Sequence, residues 1–488
     1  MKTGQDRIAT LRPALVGAGY TLPAVQRVLG ADRLLSSREE ELIIFERRLA
    51  GDSALSLAGR LLLLNRDVDR AAWDSALPGL PADSLVEMGL ASTTGGVLTA
   101  SVRLVPHGDV YIASDRVDEA KDPEHVTGIN NPAVLLSDLA VRRRVGLGLD
   151  LGCGGGIQSL LMSRHCERVI ATDLNPRALE FTQLNARING VTNVETRLGS
   201  FFEPVEGMAF DLVLCNPPYV ISPESQFLYR DSGMPADSLC RQLVGEVGLH
   251  LAEGGYGQLL VSWVQPEKRP WAAVLEEWLG DAPCDAWFLH YSTEDPLSNA
   301  AKWNRPLRFA ELSGFGEAVD RWTAYFRENS IDAIGFGSVT LRRRSNAINW
   351  RRADELREGH NSASDHIQRV FAAEDLLRGL ADDDGIMETR CRLAPGHRLE
   401  QTMVEGPNGG WQPLQTRLVM TEGLGFQGSL DLPLAQVLQH LDGRRTLAEA
   451  VTVAAAEMGI AGAEVVEFRQ AAASTVRRLL ELGFLEPE

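Results

Sequence analysis

Between residues 145 and 345, short apolar runs alternate with segments of helical spacing. Val145-Gly146-Leu147-Gly148-Leu149-Asp150-Leu151 reads as a buried strand, and Ile157-Gln158-Ser159-Leu160-Leu161-Met162 as a helix. Residues 168–172 form a second apolar run that ends in Asp173, and Asn175-Pro176 opens the next helix. A third strand is expected over 194–198 and a fourth over Phe210-Asp211-Leu212-Val213-Leu214-Cys215. The pattern then predicts a helix over 238–251, a glycine pair at Gly254-Gly255 and strands over 258–264, 287–291 and 334–341. A helical insertion around 309–328 precedes the last of these. Strands alternating with helices predict an α/β fold built on one sheet of seven strands.

Both flanks have a different pattern. Residues 34–49 are amphipathic, with a capping signal at Ser36-Ser37 followed by Glu39-Glu40. A short helix opens at Pro81 and ends near Gly89, and a hairpin is expected at Gly95-Gly96 between β-prone segments. Residues 1–115 are therefore expected to be a helical, winged-helix-like accessory domain, and 116–348 the sheet domain. Residues 349–488 predict an α+β accessory domain with winged-helix-like character. In it, 398–404 and 415–420 read as strands, 434–441 and 446–457 as helices, and 441–446 as a turn and cap. A helix at the end of the chain is followed by Gly483 and a short strand.

The chemistry concentrates at the strand ends. Gly152-Cys153-Gly154-Gly155-Gly156 joins the first strand to its helix, and its glycines allow a positive φ and close approach of a ligand. The spacing is Asp-x-Gly-x-Gly-x-Gly from Asp150, with Ile157 where a dinucleotide fingerprint needs glycine. Asp173, an acid at the end of the second strand, suits a ribose diol. The fourth strand stops at Asn216-Pro217-Pro218-Tyr219. Neither proline can donate to a ladder, so pairing ends there and leaves the asparagine at the carboxyl edge. An amide oxygen, a backbone carbonyl and an aromatic face together suit a planar NH2 group.

These paired motifs resemble the class I S-adenosylmethionine-dependent methyltransferases, and among them the HemK-like and small-domain N-methyltransferases. The likeness spans roughly residues 120 to 345. It implies a Rossmann-like sheet, S-adenosyl-L-methionine as cofactor, and cofactor contacts from Asp150, Gly152, Cys153, Gly154, Gly156, Asp173, Leu174, Ser200 and Asn216. Ser200 stands where many relatives carry Asp or Asn near the adenine. The resemblance also implies that Asn216, Pro217, Pro218 and Tyr219 hold the acceptor nitrogen. It implies that the segment from His125 to Pro132 lies over the cofactor; an N-cap and turn is the other reading of that segment. The acceptor is either a protein glutamine amide or an exocyclic amine of an RNA or DNA base. A catalytically silent cofactor-binding regulator or peptide-binding scaffold is the alternative from another class.

Composition narrows the choice. The chain of 488 residues is 44% hydrophobic and 23% charged, ordinary for a globular protein. A net charge of −18 argues against a nucleic-acid coat. Arg142-Arg143-Arg144, Arg342-Arg343-Arg344 and Arg351-Arg352 keep a phosphate-tracking rim open as a reading. Six cysteines without a Cys-x-x-Cys pair argue against a zinc site and for a reducing, cytoplasmic setting. No apolar stretch has the length of a membrane span, so no membrane partner is expected, and with no Cys-x-x-Cys pair no metal partner is expected either.

Overall fold

Val145–Leu151 (β1), Cys166–Asp173 (β2), Val194–Leu198 (β3) and Phe210–Cys215 (β4) pair in parallel, and Leu251–Gln265 (β5) continues them beside β4. Cys284–Glu294 (β6) and Ala333–Arg343 (β7) follow, with β7 antiparallel to both β5 and β6. The computed structural model describes residues 4–31, 39–116, 122–305, 312–345, 348–356, 362–380, 383–407 and 409–488. They divide into two compact units, 1–137 with 143–355, and 138–142 with 356–488.

The sheet has eight strands rather than seven. Arg351–Glu355 (β8) pairs parallel to β6, giving the order β8-β6-β7-β5-β4-β1-β2-β3. The sequence Arg-Arg-Ala-Asp-Glu has no apolar run, because an edge strand is specified by its backbone ladder more than by burial. Two boundaries also move. The helix expected over 238–251 ends at Val247, and Leu251 already pairs with Phe210. Gly254-Gly255 lies inside β5 as a bulge, where a Cβ on Gly255 would sit 2.6 Å from the Phe210 carbonyl oxygen.

Helices cover the sheet. Ile157–Met162 (α1) and Pro176–Ile188 (α2) follow β1 and β2, and α2 is capped by Asn175 with proline at its first turn. Ser238–Val247 (α3) and Trp271–Leu279 (α4) bury Leu239, Leu243, Val244, Leu275 and Trp278 against β4, β5 and β7. The insertion between β6 and β7 is Pro296–Trp303 (α5) and Leu312–Glu328 (α6). It packs Trp322 and Phe326 on Val220, Ile221 and Ile334.

In the N-terminal part, the helix Glu39–Arg48 lies within the expected amphipathic segment, whose cap falls outside the described residues. The hairpin Ala91–Thr94 and Val97–Ala100 turns at Gly95 and Gly96, both with positive φ. A second hairpin, Arg103–His107 and Val110–Ser114, is buried, and its core is shared with α1 and α2. In the second unit, Asp442–Thr446 is a strand paired with Arg390–Leu393 rather than only a turn. Thr446 still caps the helix Leu447–Met458 through a reciprocal box with Glu449.

Candidate active site

The glycine turn is pinned on every side that does not face the carboxyl edge. The Gly152 and Cys153 amides both donate to the Thr172 carbonyl at 2.9 Å, which ties the turn to β2. From α2, Thr182 Oγ1 donates to the Gly154 carbonyl at 3.0 Å, and Asn185 Nδ2 to the Gly155 carbonyl at 2.8 Å. Gly152 and Gly154 have φ of +73° and +51°, and a Cβ built on either meets nothing within 4 Å. The left-handed conformation, costly for an L side chain by about 1–2 kcal/mol, is what demands glycine there. At Gly156 space demands it as well, since a Cβ would lie 2.7 Å from Thr182 Oγ1.

Two carboxylates stand beneath this turn. Asp150 is buried, and its Oδ2 accepts from the Ser159 amide at 2.8 Å and the Ser159 hydroxyl at 2.6 Å. It fastens the start of α1 to the end of β1. Burial pushes its carboxyl up to about 6, against the pull of the Ser159 bonds and helped by nearby Asp173. Asp173 is half-exposed. Its Oδ2 accepts from the Gly154 amide and its Oδ1 from the Asn175 amide, both at 2.9 Å. Burial raises its carboxyl as well, opposed by those amides. A carboxylate has about four lone-pair sites, so these bonds leave acceptor capacity. Cys153 is a buried thiol pushed well up by burial and by the two acids, which makes it inert.

Leu174 follows Asp173, and Leu198, the register partner of Asp173, ends the adjacent strand. They are 59% and 57% exposed, unusual for leucines at strand ends. Leu198 has no sequence signal beyond being the last residue of its strand. Ser200 is half-exposed, and its amide donates to Glu203 Oε2 at 3.3 Å. The amide of Gly199, which precedes it, donates to the Asp173 carbonyl at 3.1 Å. Asp173, Leu174, Leu198 and Ser200 thus share one stretch of the edge.

The tetrad sits at the end of β4, the strand on the other side of β1 from β2. The Asn216 side-chain oxygen is buried and accepts no hydrogen bond from the described residues. Pro217 is buried and Pro218 half-buried. The Tyr219 carbonyl accepts from the Ser262 hydroxyl on β5, and burial raises the Tyr219 phenol. The tyrosine ring lies 5.2 Å from that of Phe336.

Two segments run along the same edge. In the first, Asn130 Oδ1 accepts from the Ala133 amide at 2.9 Å, the N-cap bond expected for that stretch. Upstream, the Glu124 carbonyl accepts from Asn175 Nδ2 at 2.7 Å, and the Pro123 carbonyl from the Leu228 amide at 3.2 Å. Asp115 anchors this segment by accepting from the Val126 amide at 2.8 Å while pairing with Arg177. The second segment, 222–231, follows the tetrad. Glu224 accepts from Arg230 and Arg321 at 2.6 Å and from Trp322 Nε1 at 3.1 Å, which clamps the loop to α6. Neither Asp115 nor Glu224 was marked by any motif.

Most of the clustered arginines make internal contacts, whereas Arg142 and Arg144 are exposed. Arg143 donates to the Gly254 carbonyl and Arg342 pairs with buried Asp285. Arg343 donates to the Gly248 carbonyl, Arg351 to the Glu276 carbonyl, and Arg352 pairs with Asp354. Among the described residues no group of three His, Cys, Asp or Glu side chains could hold a metal ion, and no helix is long and apolar enough to cross a membrane.

A sheet of this order, with a glycine turn after β1, an acid after β2 and Asn-Pro-Pro-Tyr after β4, is the arrangement expected of a class I methyltransferase domain. Residues 130–275 match the family model described as "Methyltransferase small domain". That stretch of the chain is thus similar to methyltransferase small domains, and release factor glutamine methyltransferases are among its relatives. That of Xylella fastidiosa is 33% identical over 26% of this chain and 50% of its own length. That of Chlamydia trachomatis serovar D is 33% identical over 34% and 60%. The putative protein N5-glutamine methyltransferase of Methanocaldococcus jannaschii is 30% identical over 25% and 64%. The chain spans less than two thirds of the length of each of these relatives. Residues 17–102 and 368–487 match two further families, each described as a domain of unknown function.

Proposed function

We propose that this protein transfers a methyl group from S-adenosylmethionine to the side-chain amide nitrogen of a glutamine in a protein. The observation that carries the reading is the Asn216 side-chain oxygen, buried at the end of β4 with no donor among the described residues. An unsatisfied buried acceptor costs about 1–3 kcal/mol, and the NH2 of a planar amide supplies the missing donor. The Pro217 carbonyl is the second acceptor for that NH2, and the Tyr219 ring faces the planar group.

The residues on the other side of β1 fit the cofactor. Gly152 and Gly154 offer backbone with open space around it, and Asp173 has acceptor capacity for a ribose diol. Exposed Leu174 and Leu198 offer apolar contact to a flat ring, with Ser200 beside them. Asp150 supports the turn from below, with Cys153 and Gly156 packed into it. Bound there, S-adenosylmethionine supplies a methyl group already activated by its sulfonium.

The chain's own work is alignment. An amide nitrogen is a weak nucleophile because its lone pair is delocalised. Asn216 and the Pro217 carbonyl hold the NH2 and favour its pyramidalisation, and Tyr219 fixes the plane. In-line positioning can supply roughly 7–11 kcal/mol of a barrier. The proton leaves after attack, so no histidine is assigned as base.

A protein acceptor is favoured over a nucleic acid on three grounds. The relatives' names specify glutamine, the net charge is −18, and Arg342, Arg343, Arg351 and Arg352 are engaged inside the fold. Six free cysteines suit an enzyme of the cytoplasm. The test is transfer of tritiated methyl from S-adenosylmethionine by the purified chain, offered a purified bacterial release factor and total RNA. Label at a glutamine of the protein is expected. Label in RNA alone, or none in either, overturns the reading.

A further inference from the structure

The loop 222–231 is built around a buried cation. The Arg230 guanidinium donates to Asp231 at 2.7 Å and to Glu224 at 2.6 Å. It lies 5.0 Å from the centre of the Phe227 ring and 5.6 Å from that of Trp322. Asp231 is buried as well, and its Oδ2 accepts from the Gln226 and Phe227 amides at 3.1 Å. Taking these charges out of water is costly, and their mutual attraction returns little net stability. What the network does is fix the loop in one shape.

That shape sets the loop tip beside the site. Asp231 pairs with Val220, the residue after the tetrad, in an isolated bridge. The Leu228 amide donates to the Pro123 carbonyl, and the next carbonyl, that of Glu124, accepts from Asn175 two residues beyond Asp173. His125 meets the Tyr229 ring edge-on, with centres 5.9 Å apart and planes at 65°. The tip is thus tied to the end of β4 and, through residues 123 and 124, to the turn after β2. Those two strands flank β1, so their ends stand about 10 Å apart.

Leu228 and Tyr229 at the tip are nonetheless 42% and 40% exposed. Holding two large apolar side chains in water does nothing for the folded chain. On a contact surface it means that little freedom is lost when a partner arrives. The position of the tip selects the partner, because a protein that delivers a side chain to Asn216 brings the surface around that side chain to the loop after the tetrad. We infer that Leu228 and Tyr229 are a docking contact for the acceptor protein, and that its surface beside the methylated glutamine is apolar where it meets them. This rests on the reading of the chain as a protein-glutamine methyltransferase, and it adds recognition outside the amide itself.

Steady-state methyl transfer to a purified bacterial release factor tests it. In the double variant Leu228→Ser/Tyr229→Ser the KM for the release factor is expected to rise about tenfold or more, as when anchor side chains are cut from an interface. The kcat and the dissociation constant for S-adenosylmethionine should match those of the parent, because the variant spares Arg230, Asp231 and the Leu228 amide. Leu228→Met/Tyr229→Phe keeps the apolar bulk and should hold the KM near the parental value. Should the double serine variant melt below the assay temperature, Leu228→Glu reads the same contact from one exposed side chain, and its KM should rise likewise. Parental KM in every folded variant overturns the inference and leaves the glutamine reading intact. A fall in kcat at parental KM overturns it too, since the loop would then act by holding Tyr219. A parent chain that does not methylate the release factor rejects the function and this inference together.

Discussion

Asn185 of α2 and Ala113 of the strand Val110–Ser114 exchange two hydrogen bonds. The Ala113 amide donates to Asn185 Oδ1 at 2.7 Å, and Asn185 Nδ2 donates to the Ala113 carbonyl at 2.9 Å. One turn on, Asn189 repeats the exchange with Tyr111, at 2.9 Å and 2.7 Å. Two asparagines at helical spacing thus act as a substitute neighbouring strand for the second hairpin. Asn185 Nδ2 also reaches the Gly155 carbonyl, so one side chain joins the N-terminal part of the chain to the glycine turn.

Replacing that side chain tests the junction. Asn185→Ala leaves the Ala113 amide, the Ala113 carbonyl and the Gly155 carbonyl without these partners inside a buried site. At about 1–3 kcal/mol for each unsatisfied group, a loss of roughly 3 kcal/mol or more is expected in urea denaturation. Affinity for S-adenosylmethionine should fall with it, because the turn loses a fixed carbonyl. Full stability in the variant would show that water or a neighbour replaces the amide.

Asn216→Ala separates acceptor chemistry from cofactor binding. Turnover is expected to fall by about a hundredfold or more, as when a preorganised hydrogen-bond partner is removed from a reacting group. The dissociation constant for S-adenosylmethionine should stay near that of the parent. Calorimetric titration and single-turnover transfer report the two quantities independently.

Asp173→Ala acts in the opposite sense. It removes the acceptor proposed for the ribose and also releases the Gly154 and Asn175 amides. Cofactor binding should weaken by roughly 1.5–3 kcal/mol, the value of a charge-assisted hydrogen bond. Equal dissociation constants in variant and parent would remove Asp173 from the cofactor site.

The buried Asp150 carboxyl makes a pH prediction. Its folded value of about 6 lies above the ordinary carboxylate range near 3.8. Protonation therefore favours the folded state. Its stabilising effect is complete below the unfolded value and is lost as pH rises to about 6. Asp150→Asn cannot titrate and keeps an acceptor for Ser159. The stability of Asp150→Asn relative to the parent should thus rise between about pH 4 and pH 6, then level off, by up to about 3 kcal/mol. Thermal melts across that range decide it; a pH-independent difference would mean that Asp150 titrates normally.

The central strands were legible because buried parallel strands are apolar throughout, and each ends in a residue that cannot continue it. Pro217 stops β4, Gly152 stops β1, and Asn175-Pro176 turns β2 into α2. Arg351–Glu355 was not legible as a strand, because an edge strand needs only its neighbour's backbone. Glu224 and Asp115 were silent for a related reason. Such a carboxylate is defined by the donors that converge on it, and Arg321 and Arg177 come from distant parts of the chain.

By itself the sequence determined the fold class, the glycine turn and the tetrad, since local backbone chemistry writes those into consecutive residues: positive φ needs glycine, and a ladder ends at proline. Only the tertiary structure decided what surrounds them. Phe336 reaches Tyr219 across the sheet from a strand more than a hundred residues later, because Trp263 occupies the other face of β7. Leu198 joins Leu174 because their strands are neighbours, and Asn185 reaches the glycine turn because α2 packs against it. Such pairings depend on strand register and helix packing, which no run of neighbouring residues records.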